Sequence, residues 1–142
     1  MKCVVDASVI VKWLLRNPDS EPQTAESLAL MDAAAAGEVE ILQPPHWLAE
    51  VAAVMARLSP ATLAADIPDL YALDFDVADS LAICQRAARL AVDLNQHLFD
   101  TLYHAVALES AGYTLITADQ RYLRKAKAHG QIVGLEHWRE AV

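Results

Sequence analysis

The chain has 142 residues, and its 19 acidic and 11 basic side chains give a formal net charge of −8. Alanine is abundant with 27 copies, whereas glycine occurs four times and proline six times. This composition excludes a collagenous, low-complexity or turn-dense all-β chain and favours one helix-rich domain over residues 1–142. The acidic balance argues against nucleic-acid binding by bulk positive charge alone, although a nucleic-acid enzyme stays possible if cations bring the phosphate in.

Cysteine usage and hydropathy narrow the class of protein further. Cys3 and Cys84 lie far apart without CxxC spacing, so they predict neither a disulfide framework nor a zinc knuckle. We expect both to be small core residues of a protein in a reducing cytoplasm. Asp6 and Lys12 interrupt the apolar amino terminus, so no signal peptide is expected. No uncharged apolar run reaches the roughly eighteen residues of a transmembrane helix, so no membrane association is expected.

The amino-terminal half predicts alternating strands and helices. Strands are expected over 2–5, ending at Asp6, and over 39–42. Helices are expected over 9–16, 22–36, 47–58 and 61–70. Pro22 suits the first turn of the second helix and Gly37 suits its end. Pro44 and Pro45 form a rigid corner before the third helix.

The carboxyl-terminal half continues this alternation. The strands expected here cover 71–75, 113–117 and 131–133. The helices expected here are a long alanine-rich one from its cap, Asp76, to about Val92, an amphipathic one from Leu98 to Gly112, and a short one after Asp119. A last turn passes through Trp138. Strands separated by helix-length segments predict an α/β fold with a mostly parallel sheet covered on both faces.

Four carboxylates lie at positions where a charged side chain is unusual and therefore suggests a function. Asp6 closes the first strand and Asp119 follows the 113–117 strand, at the sheet edge where open parallel sheets form their crevice. Glu50 and Asp100 lie in helices among apolar neighbours. Each acid alone is most simply a cap or a surface charge. Together they predict a cluster whose repulsion is offset by cations, and oxygen-only ligands suit Mg²⁺ or Mn²⁺ better than zinc.

The segments around these acids resemble the motifs of PIN-domain ribonucleases, most closely the VapC-type toxins of bacterial toxin–antitoxin pairs. The matching stretches are VVDAS at 4–8, PPHWLAEV at 44–51, FDTLY at 99–103 and LITAD at 115–119. The resemblance implies a three-layer α/β/α fold and a metal-dependent endoribonuclease. Its acids are Asp6, Glu50, Asp100 and Asp119. It also implies a homodimer and a VapB-type antitoxin whose tail lies near the active site.

Residues near the acids have two interpretations each. In-line attack on a phosphodiester needs an activated water and a stabilised leaving oxygen, which two metal ions about 4 Å apart supply. Ser8 and Thr117 are predicted either to orient a carboxylate or metal-bound water, or to cap a helix or turn. His104, one turn after Asp100, is predicted either to contact substrate or metal, or to be a buried histidine with satisfied hydrogen bonds. The histidines expected at the surface are His46, His97, His129 and His137.

Positive charge is concentrated after the fourth acid. Arg121, Arg124, Lys125 and Lys127 are predicted either to bind the RNA backbone or to form a solvated helix face. Lys12 and Arg16, one turn apart on the first helix, are predicted to contribute to RNA binding from the other side. Some relatives carry an acid where Arg121 stands, which predicts a less firmly held second metal. The helices that bear Trp13, Leu14, Leu15 and Trp47 are expected to turn part of their apolar surface to another chain.

Other functions are weighed against this interpretation. A phosphatase of the haloacid-dehalogenase type needs a second aspartate where Ser8 stands, and a response-regulator receiver needs paired acids at the first strand end. Neither pattern is present. Within the family, the alternatives are a PIN nuclease of RNA processing and a catalytically silent PIN module that binds RNA or protein. The short chain with nothing appended favours the toxin, and the four acids together favour catalysis.

Overall fold

The computed structural model describes residues 1–141 and shows alternating strands and helices. The strands are β1 (Lys2–Val5), β2 (Glu40–Gln43), β3 (Asp76–Val77), β4 (Tyr113–Thr117) and β5 (Ile132–Gly134). The helices are α1 (Ala7–Leu15), α2 (Thr24–Ala35), α3 (Trp47–Leu58), α4 (Leu63–Tyr71), α5 (Leu81–Leu94), α6 (Leu98–Glu109) and α7 (Gln120–Ala126). Short 3-10 helices cover Lys127–His129 and Leu135–Glu140.

The strands form one parallel sheet in the order β3-β2-β1-β4-β5, which confirms the predicted α/β class. From β1 in the middle of the sheet, the chain adds β2 and then β3 on one side. It then crosses to the other side of β1 and adds β4 and β5 there. Right-handed crossovers therefore place α1–α4 on one face and α5–α7 on the other. The step direction reverses between β1 and β4, which creates a crevice beyond the carboxyl ends of these two strands.

The core centres on the two middle strands. The β1 residues Cys3, Val4 and Val5 are fully buried, because β1 is paired on both sides and covered on both faces. Helix α6 lies between α5 and the sheet, and its consecutive residues 103–107 are all fully buried. A helix buried all round in this way is held rigidly. Its first turn, which carries Asp100, therefore has a firm support.

A buried amide replaces backbone pairing near the end of β1. The β1–β2 register pairs the first two residues of β1 with β2. At Val5 the side chain of Gln43 takes over, since its Oε1 accepts from the Val5 amide at 3.2 Å and its Nε2 donates to the Val5 carbonyl at 2.9 Å. The backbone just before Asp6 is thereby satisfied while β1 and β2 separate.

The strand predicted over 71–75 is wrong. Helix α4 continues to Tyr71, and the third strand is the shorter β3 that follows. The apolar character of the segment has another cause, because the Phe75 ring packs 6.3 Å from the Trp13 ring and 5.1 Å from the Trp47 ring. Aromatic packing into the core, rather than strand pairing, accounts for Phe75, whereas Tyr71 and Leu73 are exposed.

Several predicted helix starts also differ from the structure. Ser80, not Asp76, caps α5, and its hydroxyl accepts a first-turn backbone hydrogen bond at 3.1 Å. Helix α2 begins at Thr24 rather than at Pro22, because Gln23 has a left-handed conformation with φ of 61° that cannot belong to the helix. Helix α1 begins two residues earlier than predicted, directly after Asp6.

The burial of a cysteine and of two tryptophans bears on the sequence-based expectations. Cys84 is exposed because it lies off the buried stripe of α5, whereas Cys3 is buried as predicted. The helices that bear Trp13, Leu14, Leu15 and Trp47 were expected to leave part of their apolar surface for another chain; both tryptophans are buried in the core, whereas Leu14 and Leu15 are half-buried. The large apolar side chains that the structure exposes are Leu58, Ile67, Tyr71, Leu73, Val77, Leu81, Val92, Leu98 and Phe99. None of the described helices combines the length and apolarity needed to cross a bilayer.

Candidate active site

The four predicted acids lie at the starts of four helices. Asp6 caps α1 and Asp119 caps α7, while Glu50 and Asp100 lie in the first turns of α3 and α6. The amino terminus of a helix carries partial positive charge, which offsets part of the repulsion between neighbouring carboxylates. All four line one cleft of about 340 Å³ beyond the carboxyl ends of β1 and β4. Residues far apart in sequence are thus brought to one place.

The lining of this cleft is strongly acidic. Its polar and charged residues are Asp6, Ser8, Lys12, Glu21, Glu50, Asp100 and Asp119. Its larger apolar residues are Val11, Val54 and Leu58. Five carboxylates therefore face a single ammonium group, with an apolar wall beside them. Such a surface attracts cations and repels an unaccompanied phosphate.

Ser8 and Thr117 hold the first acid in place. Asp6 Oδ2 accepts hydrogen bonds from the Ser8 hydroxyl, the Ser8 amide at 3.3 Å and the Thr117 hydroxyl at 3.1 Å. The Ser8 hydroxyl in turn accepts from the Ala118 amide at 3.1 Å, and the Thr117 hydroxyl accepts from the Asp119 amide at 3.0 Å. The two hydroxyls join the end of β1 to the end of β4. The hydrogen bonds of the described residues leave Asp6 Oδ1 without a donor.

Burial and mutual repulsion disfavour the charged forms of two acids. Burial is the largest cause that raises the pKa of Asp6 to about 6, and the charges of Glu50 and Asp100 add to it, while the hydroxyl donors oppose it. Burial likewise raises the pKa of Asp100, opposed by a 2.8 Å hydrogen bond from Gln96 Nε2. The cluster carries more negative charge than its surroundings balance, so it favours a proton or a cation.

Glu50 lies against two aromatic side chains whose role the sequence analysis missed. His46 was expected at the surface, but it is largely buried, with Nε2 3.1 Å from Glu50 Oε2 and 2.9 Å from the Phe99 carbonyl oxygen. A carbonyl only accepts, so Nε2 carries the proton. The His46 ring lies 4.9 Å from the ring of Tyr103, whose buried hydroxyl has no hydrogen-bond partner among residues 1–141. The four-residue spacing of His46 and Glu50 on a helix was the available signal.

His104 lies outside the cleft, in a separate buried pair. Its Nε2 is 2.8 Å from the Gly130 carbonyl oxygen and its Nδ1 is 3.1 Å from the Tyr122 hydroxyl. Nε2 therefore donates, and Nδ1 accepts from the tyrosine. Burial lowers the pKa of His104 and keeps the ring neutral. The structure thus matches the interpretation of His104 as a satisfied buried histidine. Three other histidines are exposed as expected: His97, His129 and His137.

The cations predicted after the fourth acid do not all share one environment. Arg121, Arg124 and Lys127 are exposed. Lys125 instead donates to the Asn95 carbonyl at 3.2 Å and to Gln96 Oε1 at 3.0 Å. Since Gln96 also donates to Asp100, Lys125 steadies the support of that acid. Three side chains of this group are therefore free to face a polyanion, and the fourth is engaged with the protein.

The two cations predicted on α1 also differ. Arg16 is exposed at the end of the helix, where its Nε donates to the Trp13 carbonyl at 2.7 Å. Lys12 is buried at the wall of the cleft, and its ammonium lies 3.1 Å from Glu21 Oε2. Glu21 belongs to the segment between α1 and α2 and was not predicted as a site residue. Of these two cations, Lys12 alone lines the cleft.

The acids share the cleft without forming a finished coordination shell. Within residues 1–141, no three His, Cys, Asp or Glu side chains are grouped closely enough to hold a metal ion as they stand. The described ion pairs include none between a lysine or arginine and any of the four acids, and only Glu50 has a histidine beside it. The arrangement is a set of carboxylates around a shared space, largely without cationic partners.

Comparisons with known proteins agree with this fold. Residues 3–128 match the family model of the PIN domain, so the chain belongs to the PIN domain family, whose members are generally nucleases. The crystal structure of PAE2754 from Pyrobaculum aerophilum is similar with a TM-score of 0.62 and 24% sequence identity, over 96% of this chain and 90% of that chain. That likeness supports the fold. A search of curated proteins found no significant match.

Proposed function

We propose that this PIN domain is a metal-dependent endoribonuclease and the toxin of a VapBC-type pair. The observation that carries the proposal is the convergence of four acids, from the first turns of four helices, on one cleft at the switch point of the sheet. The residues proposed to act together as metal ligands and catalytic acids are Asp6, Glu50, Asp100 and Asp119. A hydrolytic nuclease needs such a group of carboxylates to hold divalent cations beside a phosphodiester.

The donor atoms of the cleft fit Mg²⁺ or Mn²⁺. Asp6 Oδ1 meets no hydrogen-bond donor among the described residues, and the buried Glu50 Oε2, although 3.1 Å from His46 Nε2, makes no well-aligned hydrogen bond there. Buried carboxylate oxygens without partners are costly unless a ligand satisfies them. The acids supply oxygen only, which these hard cations prefer and zinc does not. Burial is the main cause of the raised pKa of both Asp6 and Asp100, and the neighbouring carboxylates add to it.

In this mechanism the residues around the acids hold the carboxylates in position. When bound, Mg²⁺ or Mn²⁺ lowers the pKa of a water molecule and stabilises charge on the leaving oxygen. Ser8 and Thr117 fix the Asp6 carboxylate, and Gln96 fixes that of Asp100. His104 faces Tyr122 and Gly130 instead of the cleft, so it is not the general base. Water is the nucleophile, and the products carry 5′-phosphate and 3′-hydroxyl ends.

Exposed cations on and just after the helix that Asp119 caps support RNA as the substrate. Arg121 and Arg124 lie on α7, directly after the cap residue Asp119, and Lys127 follows them. They give an otherwise acidic chain a positive edge next to the proposed scissile site. Phosphate groups on either side of the cut can bind there with release of counterions. Arg16, exposed at the end of α1, offers a further contact from the other side.

Exposed apolar side chains near the cleft support a protein partner. Leu58 lines the cleft and is 54% exposed, and Phe99, next to Asp100, is 49% exposed. A VapB-type antitoxin is proposed to cover these side chains with its tail, and a second copy of the chain is proposed to cover part of the remaining apolar surface in a cytoplasmic homodimer. Light scattering of the purified chain is expected to show a dimer, and a monomer at micromolar concentration contradicts that part.

Cleavage assays test the proposed activity directly. Single-stranded and hairpin RNAs labelled at one end are incubated with the chain in Mg²⁺, Mn²⁺, Zn²⁺ or EDTA. We expect cleavage in Mg²⁺ and Mn²⁺, poor cleavage in Zn²⁺ and none in EDTA, with 5′-phosphate and 3′-hydroxyl products. The Asp100→Asn variant, purified in parallel, controls for contaminating nuclease. Cyclic-phosphate ends, or full activity in EDTA, contradict the mechanism.

A further inference from the structure

We infer that Lys12 binds a phosphate of the substrate inside the cleft, and that Glu21 competes with that phosphate for the Lys12 ammonium. This inference rests on the proposed ribonuclease function and adds a substrate-binding residue and its intramolecular competitor. It differs from a general attraction of RNA to surface cations, because Glu21 is inferred to weaken RNA binding only by occupying Lys12.

The surroundings of Lys12 show an ammonium with unused donors. Helix α1 places Lys12 one turn after Ser8, at the wall of the cleft, with its side chain only 8% exposed. Lysine is rarely this buried without a partner. Within residues 1–141 its partner is Glu21 Oε2 at 3.1 Å. An ammonium has three N–H donors, so this single contact leaves capacity for a second acceptor in the cleft.

Glu21 reaches Lys12 from a segment outside the helices. The segment between α1 and α2 begins at Arg16 and ends at Gln23, which both have positive φ values, 47° and 61°. Its turn is held by a 2.8 Å hydrogen bond from the Glu21 amide to the Asn17 carbonyl. The Glu21 side chain is 22% exposed, more than that of Lys12. The carboxylate is thus able to turn toward solvent while Lys12 stays anchored on its helix.

The charges of the cleft explain why an exchange of partners is favourable. Lys12 is the single ammonium in a lining that also holds five carboxylates. A phosphate that enters is repelled by the four clustered acids and attracted by Lys12 and by any bound cation. Removing Glu21 from a desolvated lysine without a replacement is unfavourable. A substrate phosphate supplies that replacement, so the lysine keeps an anionic partner throughout.

Three explanations of the pair predict different results. A purely structural ion pair predicts that loss of either partner lowers the melting temperature and leaves RNA affinity unchanged. General electrostatics predicts opposite changes in RNA affinity for Lys12→Gln and Glu21→Gln that simply add in the double variant. Competition predicts opposite changes that do not add, because Glu21 has nothing to compete for once Lys12 is absent.

A double-mutant cycle on the full chain distinguishes these explanations. KM and kcat are measured with Mg²⁺ on a fluorescent single-stranded RNA pool for wild type, K12Q, E21Q and K12Q/E21Q. Binding of the same RNA is measured by fluorescence anisotropy, with all four combined with Asp100→Asn. We expect K12Q to raise KM and the dissociation constant about tenfold, and E21Q to lower them about threefold, with little change in kcat. In the K12Q background, E21Q is expected to change neither.

A matched ion pair outside the cleft serves as the control. Arg86 Nε and Glu109 Oε1 lie 2.7 Å apart on α5 and α6, away from the residues that line the cleft. The corresponding cycle of R86Q and E109Q is expected to give small, additive changes in KM. Thermal melts of all variants separate loss of folding from loss of binding. If K12Q fails to fold, the E21Q variant remains a sufficient test. An unchanged or raised KM of E21Q overturns the inference.

The outcomes separate this inference from the proposed function. If the wild type cuts RNA and the Lys12 and Glu21 effects add, the inference is wrong and the ribonuclease function stands. If both single variants change KM in the same direction, the inference is again wrong. If the wild type neither cuts nor binds the RNA pool in Mg²⁺ or Mn²⁺, the proposed function fails, and the inference fails with it.

Discussion

Two polar side chains one turn apart on α6 have opposite surroundings. His104 is fully buried, and each of its ring nitrogens has a hydrogen-bond partner within the protein. Asp100 receives one hydrogen bond from Gln96 and otherwise faces other carboxylates across the cleft. A polar group that the chain satisfies contributes to stability. One left among like charges is stabilised by a ligand that the chain does not supply.

The same contrast separates two buried tyrosines. The Tyr122 hydroxyl donates to His104, whereas the Tyr103 hydroxyl has no hydrogen-bond partner among residues 1–141. Burial raises the pKa of both, and for Tyr103 the charge of Glu50 is the next cause. Tyr103 therefore lies beside the acids without a well-aligned hydrogen bond, whereas Tyr122 belongs with the satisfied pair. The surroundings of the four acids therefore differ from the His104–Tyr122 pair in whether buried polar groups have hydrogen-bond partners, and not in burial alone.

The largest expected effect comes from removing one charge of the cleft. Asp100→Asn keeps the shape of the side chain and removes a proposed metal ligand, so RNA cleavage is expected to fall at least about 1,000-fold, or about 4 kcal/mol in the barrier. In EDTA the variant is expected to be as stable as the wild type or more stable, because repulsion with Glu50 and Asp119 is relieved. Cleavage rates and paired thermal melts in EDTA and in Mg²⁺ measure both effects.

The melts also decide whether Asp100 is merely a structural acid. Stabilisation by Mg²⁺ is expected to be smaller for Asp100→Asn than for the wild type, because fewer ligands remain. A paired or capping acid behaves in the opposite way, since its loss costs about 1 to 3 kcal/mol with or without metal. A variant that melts clearly lower in EDTA rules out this assignment even if cleavage is lost.

The pH dependence of the metal-free protein tests the repulsion at Asp6. Its pKa is about 6 in the folded chain and near 3.8 in the unfolded chain, so the folded state holds the proton more tightly. The Asp6 contribution to the unfolding free energy in EDTA therefore rises as pH falls from about 7 to 4, by about 3 kcal/mol at most and less with solvent screening.

An Asp6→Asn variant isolates this contribution. Asparagine keeps an oxygen for the donors of Ser8 and Thr117 but does not titrate. Urea unfolding of both proteins between pH 4 and 7 in EDTA is expected to show Asp6→Asn more stable at pH 7, with the difference shrinking toward pH 4. A difference that grows toward pH 4 contradicts the raised pKa. With Mg²⁺ the trend is expected to weaken, because metal binding requires the carboxylate.

Substitution in the hydrogen-bonded pair of His104 and Tyr122 is expected to affect stability and cleavage in the opposite way to substitution of Asp100. His104→Phe leaves the Gly130 carbonyl and the Tyr122 hydroxyl without their partner, which is expected to lower the unfolding free energy by about 2 kcal/mol. The loss is expected to be equal in EDTA and in Mg²⁺, with cleavage retained well below the melting temperature. Urea unfolding and cleavage at low temperature measure these effects. A large loss of cleavage in a folded variant places His104 in the mechanism after all.

The smallest effect is expected from the groups that orient Asp6. Ser8→Ala removes the hydroxyl donor to Asp6 and the acceptor of the Ala118 amide, so cleavage is expected to fall about tenfold. Thr117→Val, which keeps the side-chain shape, loses equivalent contacts to Asp6 and Asp119 and serves as the matched variant. Initial rates at several Mg²⁺ concentrations measure the change. Unchanged rates in both variants show that capping is the whole role of these hydroxyls.

Local pattern was sufficient to predict most of the fold. The β-branched run before Asp6, the glycine after the second helix and the sharply bounded strand 113–117 each satisfy short-range rules, and the structure confirms them. The strand prediction for 71–75 failed because Tyr71 ends a helix and Phe75 packs against the distant residues Trp13 and Trp47. The Asp76 cap failed because two similar capping residues lie close together, and only the register of α5 selects Ser80. The single-domain organisation over residues 1–142 stays a prediction.

The sequence alone determined the order of elements, the parallel α/β class and the four acids, because these depend on periodicity, on turn chemistry and on the segments that resemble the PIN family. Only the tertiary structure decided which polar groups lack partners. It paired Lys12 with Glu21, placed the His46 ring against Tyr103 and satisfied His104 through Tyr122. Such pairings join residues on separate elements, so they depend on how helices pack on a twisted sheet. Hydrogen bonding and desolvation act over a few ångströms in space, whatever the separation along the chain.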